Sequence, residues 1–199
     1  MELQDLVDGL ARGIATADAR MPVAVGQRSG RVFQPGIGPH SESDTIALAL
    51  AESSTGLAGV PLEREVPYPD IARSRCDLVI EGSPGWAVEV KLLRLLGDNG
   101  LKNDNMLMHI LSPYPVDHSA VTDCSKLLRS GFADRKAVVI IGYDYDPLPM
   151  APAIKAFELL ASIEVTLVAA RPASFENLVH PVHRRGAIFG WEITSGGPS

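Results

Sequence analysis

The sequence predicts an α/β fold: a central mixed sheet of about five strands flanked by helices. Three observations carry that expectation. Two stretches near the start, residues 2–18 and 41–53, read as helices, three short strand-like runs follow between residues 62 and 90, and from residue 119 helix and strand patterns alternate. Strands that first meander and then alternate with helices fit a mixed sheet covered by helices. With 199 residues, 46% hydrophobic and 21% charged, the chain has the material for one domain with a real core. The expected division is a single domain 1–199, made of an N-terminal helix and loop (1–40), a core (41–170) and a C-terminal extension (171–199).

Each element has a local reason. Leu3, Leu6, Val7, Leu10 and Ile14 form one apolar stripe, so residues 2–18 read as an amphipathic helix. Residues 20–40 carry Pro22, Gly26, Gly30, Pro35, Gly36, Gly38 and Pro39, which is loop chemistry. Ser41 with Asp44 three residues on is a capping signal for a second helix to about residue 53, stopped by Gly56 and Gly59. Residues 62–66, 76–80 and 87–90 are strands separated by Pro and Gly clusters. Ser119 caps a helix to residue 130, with Ala120, Val121, Cys124, Leu127 and Leu128 on one face. Residues 137–143 form a β-branched run of the kind buried on both faces of a sheet. Pro152 opens a helix to about residue 162, and residues 165–170 form the last expected strand.

Composition excludes several classes. The longest purely apolar run, residues 46–51, falls far short of the roughly 18 residues a membrane span requires. The acidic start, with Glu2 and Asp5, lacks the basic region of a secretory signal, so a cytoplasmic location is expected. Cys76 and Cys124 form no C-x-x-C pair and read as free thiols. A net charge of −6 argues against coating nucleic acid by bulk electrostatics, so any such contact must be local or metal-assisted.

The informative segment is residues 77–91. Gly82-Ser83-Pro84-Gly85 is a turn cluster between two strands and suggests an antiparallel hairpin. Paired positions in a hairpin have a constant sum, and that of Asp77 and Glu89 is 166, centred on residue 83 inside the turn. The two carboxylates are therefore expected to face each other, and Lys91, two residues beyond Glu89, shares their face. Two opposed carboxylates repel, and a divalent cation relieves the repulsion. An oxygen-only ligand set favours Mg²⁺ or Mn²⁺ over Zn²⁺. Such an ion polarises a phosphoryl oxygen while the ammonium stabilises the charge growing there, which is phosphodiester chemistry.

Asp77, an eleven-residue gap and then Glu89-x-Lys91 on the next strand resemble the PD-(D/E)xK nuclease superfamily over roughly residues 41–143. The resemblance implies a restriction-endonuclease-like α/β/α sandwich. It assigns metal binding to Asp77 and Glu89 and a catalytic role to Lys91. It also implies a glutamate on the preceding helix, for which Glu42 is the first candidate and Glu52 the second. Cys76 stands where the family motif has proline. Pro69-Asp70 spells the literal motif, but in the hairpin register Asp70 falls opposite residue 96, away from Glu89, so Asp77 is preferred.

The implied activity is an Mg-dependent endonuclease or exonuclease acting on DNA ahead of RNA, as a homodimer or in a larger complex. The alternative is a catalytically silent nuclease-like subunit that binds nucleic acid or a partner protein in a defence or repair assembly. Arg73, Arg75 and Arg94 flank the site as candidate phosphate contacts. Asp123 and Lys126 are expected on the solvated side of their helix, and His180 and His183 on a surface loop. Trp86 and Trp191 are expected to pack rather than stack on bases.

Overall fold

The computed structural model describes residues 1–26, 30–53, 59–103 and 105–196. Helix α1 (Leu3–Ala19) buries Leu3, Leu6, Val7, Leu10 and Ile14, the stripe expected from their spacing. Helix α2 (Glu42–Glu52) starts at Ser41, whose hydroxyl accepts from the Asp44 amide, and ends at Ser53. Gly56, expected to stop it, lies outside the described residues. Strands β1 (Leu62–Pro67), β2 (Arg75–Ile80) and β3 (Trp86–Leu93) form an antiparallel meander. A connection carrying the short helix α3 (Met108–Leu111) and helix α4 (Ala120–Arg129) crosses to β4 (Arg135–Tyr143), which lies parallel to β3. Helix α5 (Ala151–Ala161), β5 (Val165–Ala169), β6 (Ala173–Phe175) and β7 (Gly186–Ser195) complete the chain.

The sheet is mixed, in the order β1-β2-β3-β4-β7-β5, with β6 and β5 sharing one edge of β7. It has seven strands where about five were expected. The two additional strands lie in the stretch set apart as an extension. Of these, β7 is internal, antiparallel to β4 on one side and to β5 on the other. Gly186 and Gly190 interrupt its apolar pattern, and packing explains Gly190: a Cβ there would come within 2.7 Å of Val7 on α1.

Helices cover both faces. Gly190 meets α1, while its neighbour Trp191 points the opposite way, packing at a tilt against Phe157 of α5 with centroids 4.8 Å apart and donating to Glu158 at 3.0 Å. Trp86 and Trp191 are both buried, as packing residues should be. Helices α1 and α2 cross closely at Gly13, where a Cβ would lie 2.0 Å from the Ala49 carbonyl oxygen. Among the described residues no helix is long and apolar enough to cross a membrane.

Candidate active site

The β2–β3 register has Leu78 opposite Val88 and Ile80 opposite Trp86, the constant sum expected from the turn cluster. One step further Asp77 stands at the level of Glu89, but the backbone ladder has ended. There the Val90 amide donates to Asp77 Oδ2 at 2.7 Å, and the Leu92 amide donates to Glu42 Oε2 at 2.8 Å. Two carboxylates thus cap the edge of β3 where β2 leaves it. Glu42 reaches this edge because Ser41 fixes the start of α2.

On the face turned to α4, the Asp77 and Glu89 carboxyl groups lie close enough for each to act on the other's ionisation. Lys91 Nζ lies 2.8 Å from Asp123 Oδ2 and 3.8 Å from Glu42 Oε1. The first contact is an ion pair without hydrogen-bond alignment, since Asp123 Oδ2 has no hydrogen-bond partner among the described residues. Lys126 Nζ bridges Glu89 Oε1 and Asp123 Oδ1, each at 2.8 Å. The Tyr68 hydroxyl donates to Glu89 Oε1 at 2.6 Å, and its ring lies under Lys126, 5.0 Å from centroid to Nζ.

Burial sets the electrostatics. Glu89 and Asp123 are only 2% and 1% exposed. Burial, then the charges of Asp123 and Asp77, push Glu89 up to about 8. Burial also raises Asp77 and Glu42, against the pull of Lys91. For Lys91, burial works downward, but Asp123, Glu42, Asp77 and Glu89 outweigh it and hold the ammonium charged well above its usual range. Lys126 is raised in the same way by Asp123 and Glu89.

The cluster therefore has four carboxyl groups and two ammonium groups, two positive charges short of balance. Glu89, pushed up to about 8, holds its proton at neutral pH and supplies part of the difference. A divalent cation would make it up, and Asp77 with Glu89 has the all-oxygen chemistry Mg²⁺ or Mn²⁺ takes. As the side chains stand, no group of three His, Cys, Asp or Glu among the described residues is drawn together to hold a metal ion.

The site thus unites Asp77, Glu89, Lys91 and Glu42, and adds Asp123, Lys126 and Tyr68. The expectation that Asp123 and Lys126 are solvated is corrected: their i, i+3 spacing puts both on the side of α4 that covers β3. No pattern in the sequence marks Tyr68, which sits between two prolines. Glu52, the second choice for the helical acid, instead pairs with Arg20 at 2.6 Å. Asp70 lies exposed in the β1–β2 connection and accepts from the Gly131 amide at 3.3 Å. Arg75 bonds the Glu65 carbonyl, and Arg94 donates to the Gly38 carbonyl.

His180 and His183 are buried rather than on a surface loop. His183 Nε2 is hydrogen-bonded to Asp98 Oδ1 at 3.0 Å, and its Nδ1 to the Tyr145 hydroxyl at 2.8 Å. His180 stacks on His183 with centroids 4.8 Å apart. This network ties residues 36–40, 98 and 178–185 together, apart from the acid cluster.

No protein-family profile, no curated protein and no solved structure matches this chain.

Proposed function

We propose that the protein is a metal-dependent nuclease of the PD-(D/E)xK kind, hydrolysing phosphodiester bonds in DNA ahead of RNA. The observation that carries this reading is the convergence of Asp77, Glu89 and Lys91, with Glu42 beside them, where β2 parts from β3. The element order supports it too: α2, the β1–β2–β3 meander, α4 and the parallel strand β4 follow the arrangement on which that family carries its acids and lysine.

Asp77 and Glu89 would hold Mg²⁺ or Mn²⁺, with Glu42 as a further carboxylate. Bound there, the ion supplies charge that polarises a phosphoryl oxygen and acidifies a water. The chain's own groups do the rest. Asp123 and Glu42 anchor the Lys91 ammonium and keep it protonated, so it acts as a donor to the charge growing on the phosphoryl group, not as a base. Tyr68 and Lys126 both bond Glu89 through Oε1 and fix the orientation of that carboxyl.

A second reading is favoured by one observation: Lys91 and Lys126 already bridge acids from β3, α2 and α4, an arrangement that holds these elements together without a ligand. In that reading the protein is a silent nuclease-like subunit. Calorimetric titration with Mg²⁺ and Mn²⁺, together with cleavage of plasmid and single-stranded DNA, separates the two. The nuclease reading expects wild type to bind the ion and cut, and Asp77→Asn to fold normally and not cut. Wild type that binds DNA but cuts no nucleic acid with either ion refutes it in favour of the silent subunit.

A further inference from the structure

The four carboxyl groups of the cluster do not present their oxygens equally. Asp77 gives Oδ2 to the Val90 amide, at 2.7 Å, and Glu42 gives Oε2 to the Leu92 amide, at 2.8 Å. Asp123 has an ammonium on each oxygen, Lys126 on Oδ1 and Lys91 on Oδ2. Glu89 is committed differently, because a single atom, Oε1, receives both the Tyr68 hydroxyl at 2.6 Å and the Lys126 ammonium at 2.8 Å. A carboxylate oxygen has two lone-pair sites, so Oε1 is filled and Oε2 is the oxygen Glu89 has left. Both donors are held in place. Tyr68 is 5% exposed and meets the Phe132 ring edge-on with centroids 5.2 Å apart, while Lys126 lies over the Tyr68 ring and is tied to Asp123.

Cations differ in what they ask of a carboxylate. Ca²⁺ gathers about six to eight oxygens in a flexible shell and readily takes both oxygens of one carboxylate, whereas Mg²⁺ demands near-octahedral geometry and keeps several of its waters. The groove lined by Asp123 and Lys126, about 900 Å³, opens beside the cluster and has room for such waters, each taking about 30 Å³. We infer that Tyr68 and Lys126 are positioning residues that set the ion preference of the site: by filling Oε1 they confine Glu89 to coordination through Oε2 alone, and so favour a small six-coordinate ion, Mg²⁺ or Mn²⁺, against Ca²⁺. The inference rests on the reading of Asp77 and Glu89, with Glu42, as a divalent-cation site; it does not need a phosphodiester to be cut there.

The test is isothermal titration calorimetry of the metal-free protein with Mg²⁺, Mn²⁺ and Ca²⁺, and the quantity read is the ratio of Ca²⁺ affinity to Mg²⁺ affinity. Loss of an ammonium strengthens the binding of every dication, so that effect cancels in the ratio. Wild type is expected to bind Ca²⁺ no more tightly than Mg²⁺. The double variant Tyr68→Phe/Lys126→Met frees both lone pairs of Oε1 and should raise the ratio about tenfold or more, in line with what loss of an orienting partner does to metal affinity. Tyr68→Phe alone keeps the ring against Phe132 and Lys126, frees one lone pair and should raise the ratio by less. Melting temperatures in EDTA report that each variant is folded, and Tyr68→Phe decides the matter if the double variant is not.

Cleavage of plasmid and single-stranded DNA with Mg²⁺ and Mn²⁺ is measured alongside. Wild type that takes Ca²⁺ more tightly than Mg²⁺, or a ratio that the folded variants leave unmoved, overturns the inference. If that same wild type cuts DNA, the nuclease reading stands without it. A ratio that shifts as expected in a protein that cuts no nucleic acid supports the inference and defeats the nuclease reading. Wild type that binds none of the three ions overturns both.

Discussion

Replacing Glu89 by glutamine should make the metal-free protein more stable, and increasingly so as pH rises. The Glu89 carboxyl is buried and held at about 8 against an ordinary value of 4.5. A raised acid pKa means that ionisation is disfavoured in the folded state. The cost is therefore absent below about pH 4.5, grows as pH rises through the window and levels off above about pH 8. Each unit is worth about 1.4 kcal/mol, so the cost is on the order of 1 kcal/mol at pH 5 and about 3 kcal/mol at pH 7. Glutamine keeps an oxygen for Tyr68 and Lys126 and never ionises. In a chain of this length 1 kcal/mol corresponds to about 2–4 °C, so Tm should rise by about 6–12 °C at pH 7 and only about 2–4 °C at pH 5. Differential scanning calorimetry in EDTA from pH 5 to 8 measures this directly. A variant no more stable than wild type at pH 7, or two pH curves running parallel, would refute the reasoning. Adding Mg²⁺ should raise the Tm of wild type and leave Glu89→Gln nearly unmoved, because only an ion that binds the folded state stabilises it.

Three further outcomes are expected. Asp70→Asn should leave Mg²⁺ affinity and cleavage unchanged, since that carboxylate sits on the Gly131 amide; loss of cleavage equal to that of Asp77→Asn would show that the wrong aspartate was chosen. Lys91→Met should abolish turnover and also cost about 3–5 kcal/mol in urea denaturation, because Asp123 and Glu42 lose a buried cation; an unchanged midpoint would refute the pairing. Gly13→Ala should cost about 1–3 kcal/mol by forcing α1 from α2 at the Ala49 carbonyl, and an unaltered urea midpoint would mean the crossing has slack.

The parts of the site legible in the sequence are those governed by local rules. The β2–β3 register followed from turn chemistry and arithmetic on Asp77 and Glu89, and the starts of α2 and α4 followed from Ser41 and Ser119. Asp123 and Lys126 were illegible because helical periodicity identifies a polar face without saying whether water or another polar cluster lies against it. Strand β7 was missed for a related reason: Gly190 breaks an apolar pattern only because α1 needs the space. His180 and His183 resemble loop residues in sequence, and only the fold brings Asp98 and Tyr145 to them.

The way β3 is capped separates two demands on the same side chains. The amides of Val90 and Leu92 need an acceptor oxygen, which Asp77 and Glu42 provide. Asparagine and glutamine carry an equivalent oxygen on a side chain of nearly the same shape, without the ionisable proton that burial makes troublesome. For hydrogen bonding alone, the carboxamides would serve and would spare the fold a crowd of like charges. Geometry has a use for the oxygens; the negative charge is what remains unspent once the strand edge is closed, and it is that surplus a phosphodiesterase would draw on.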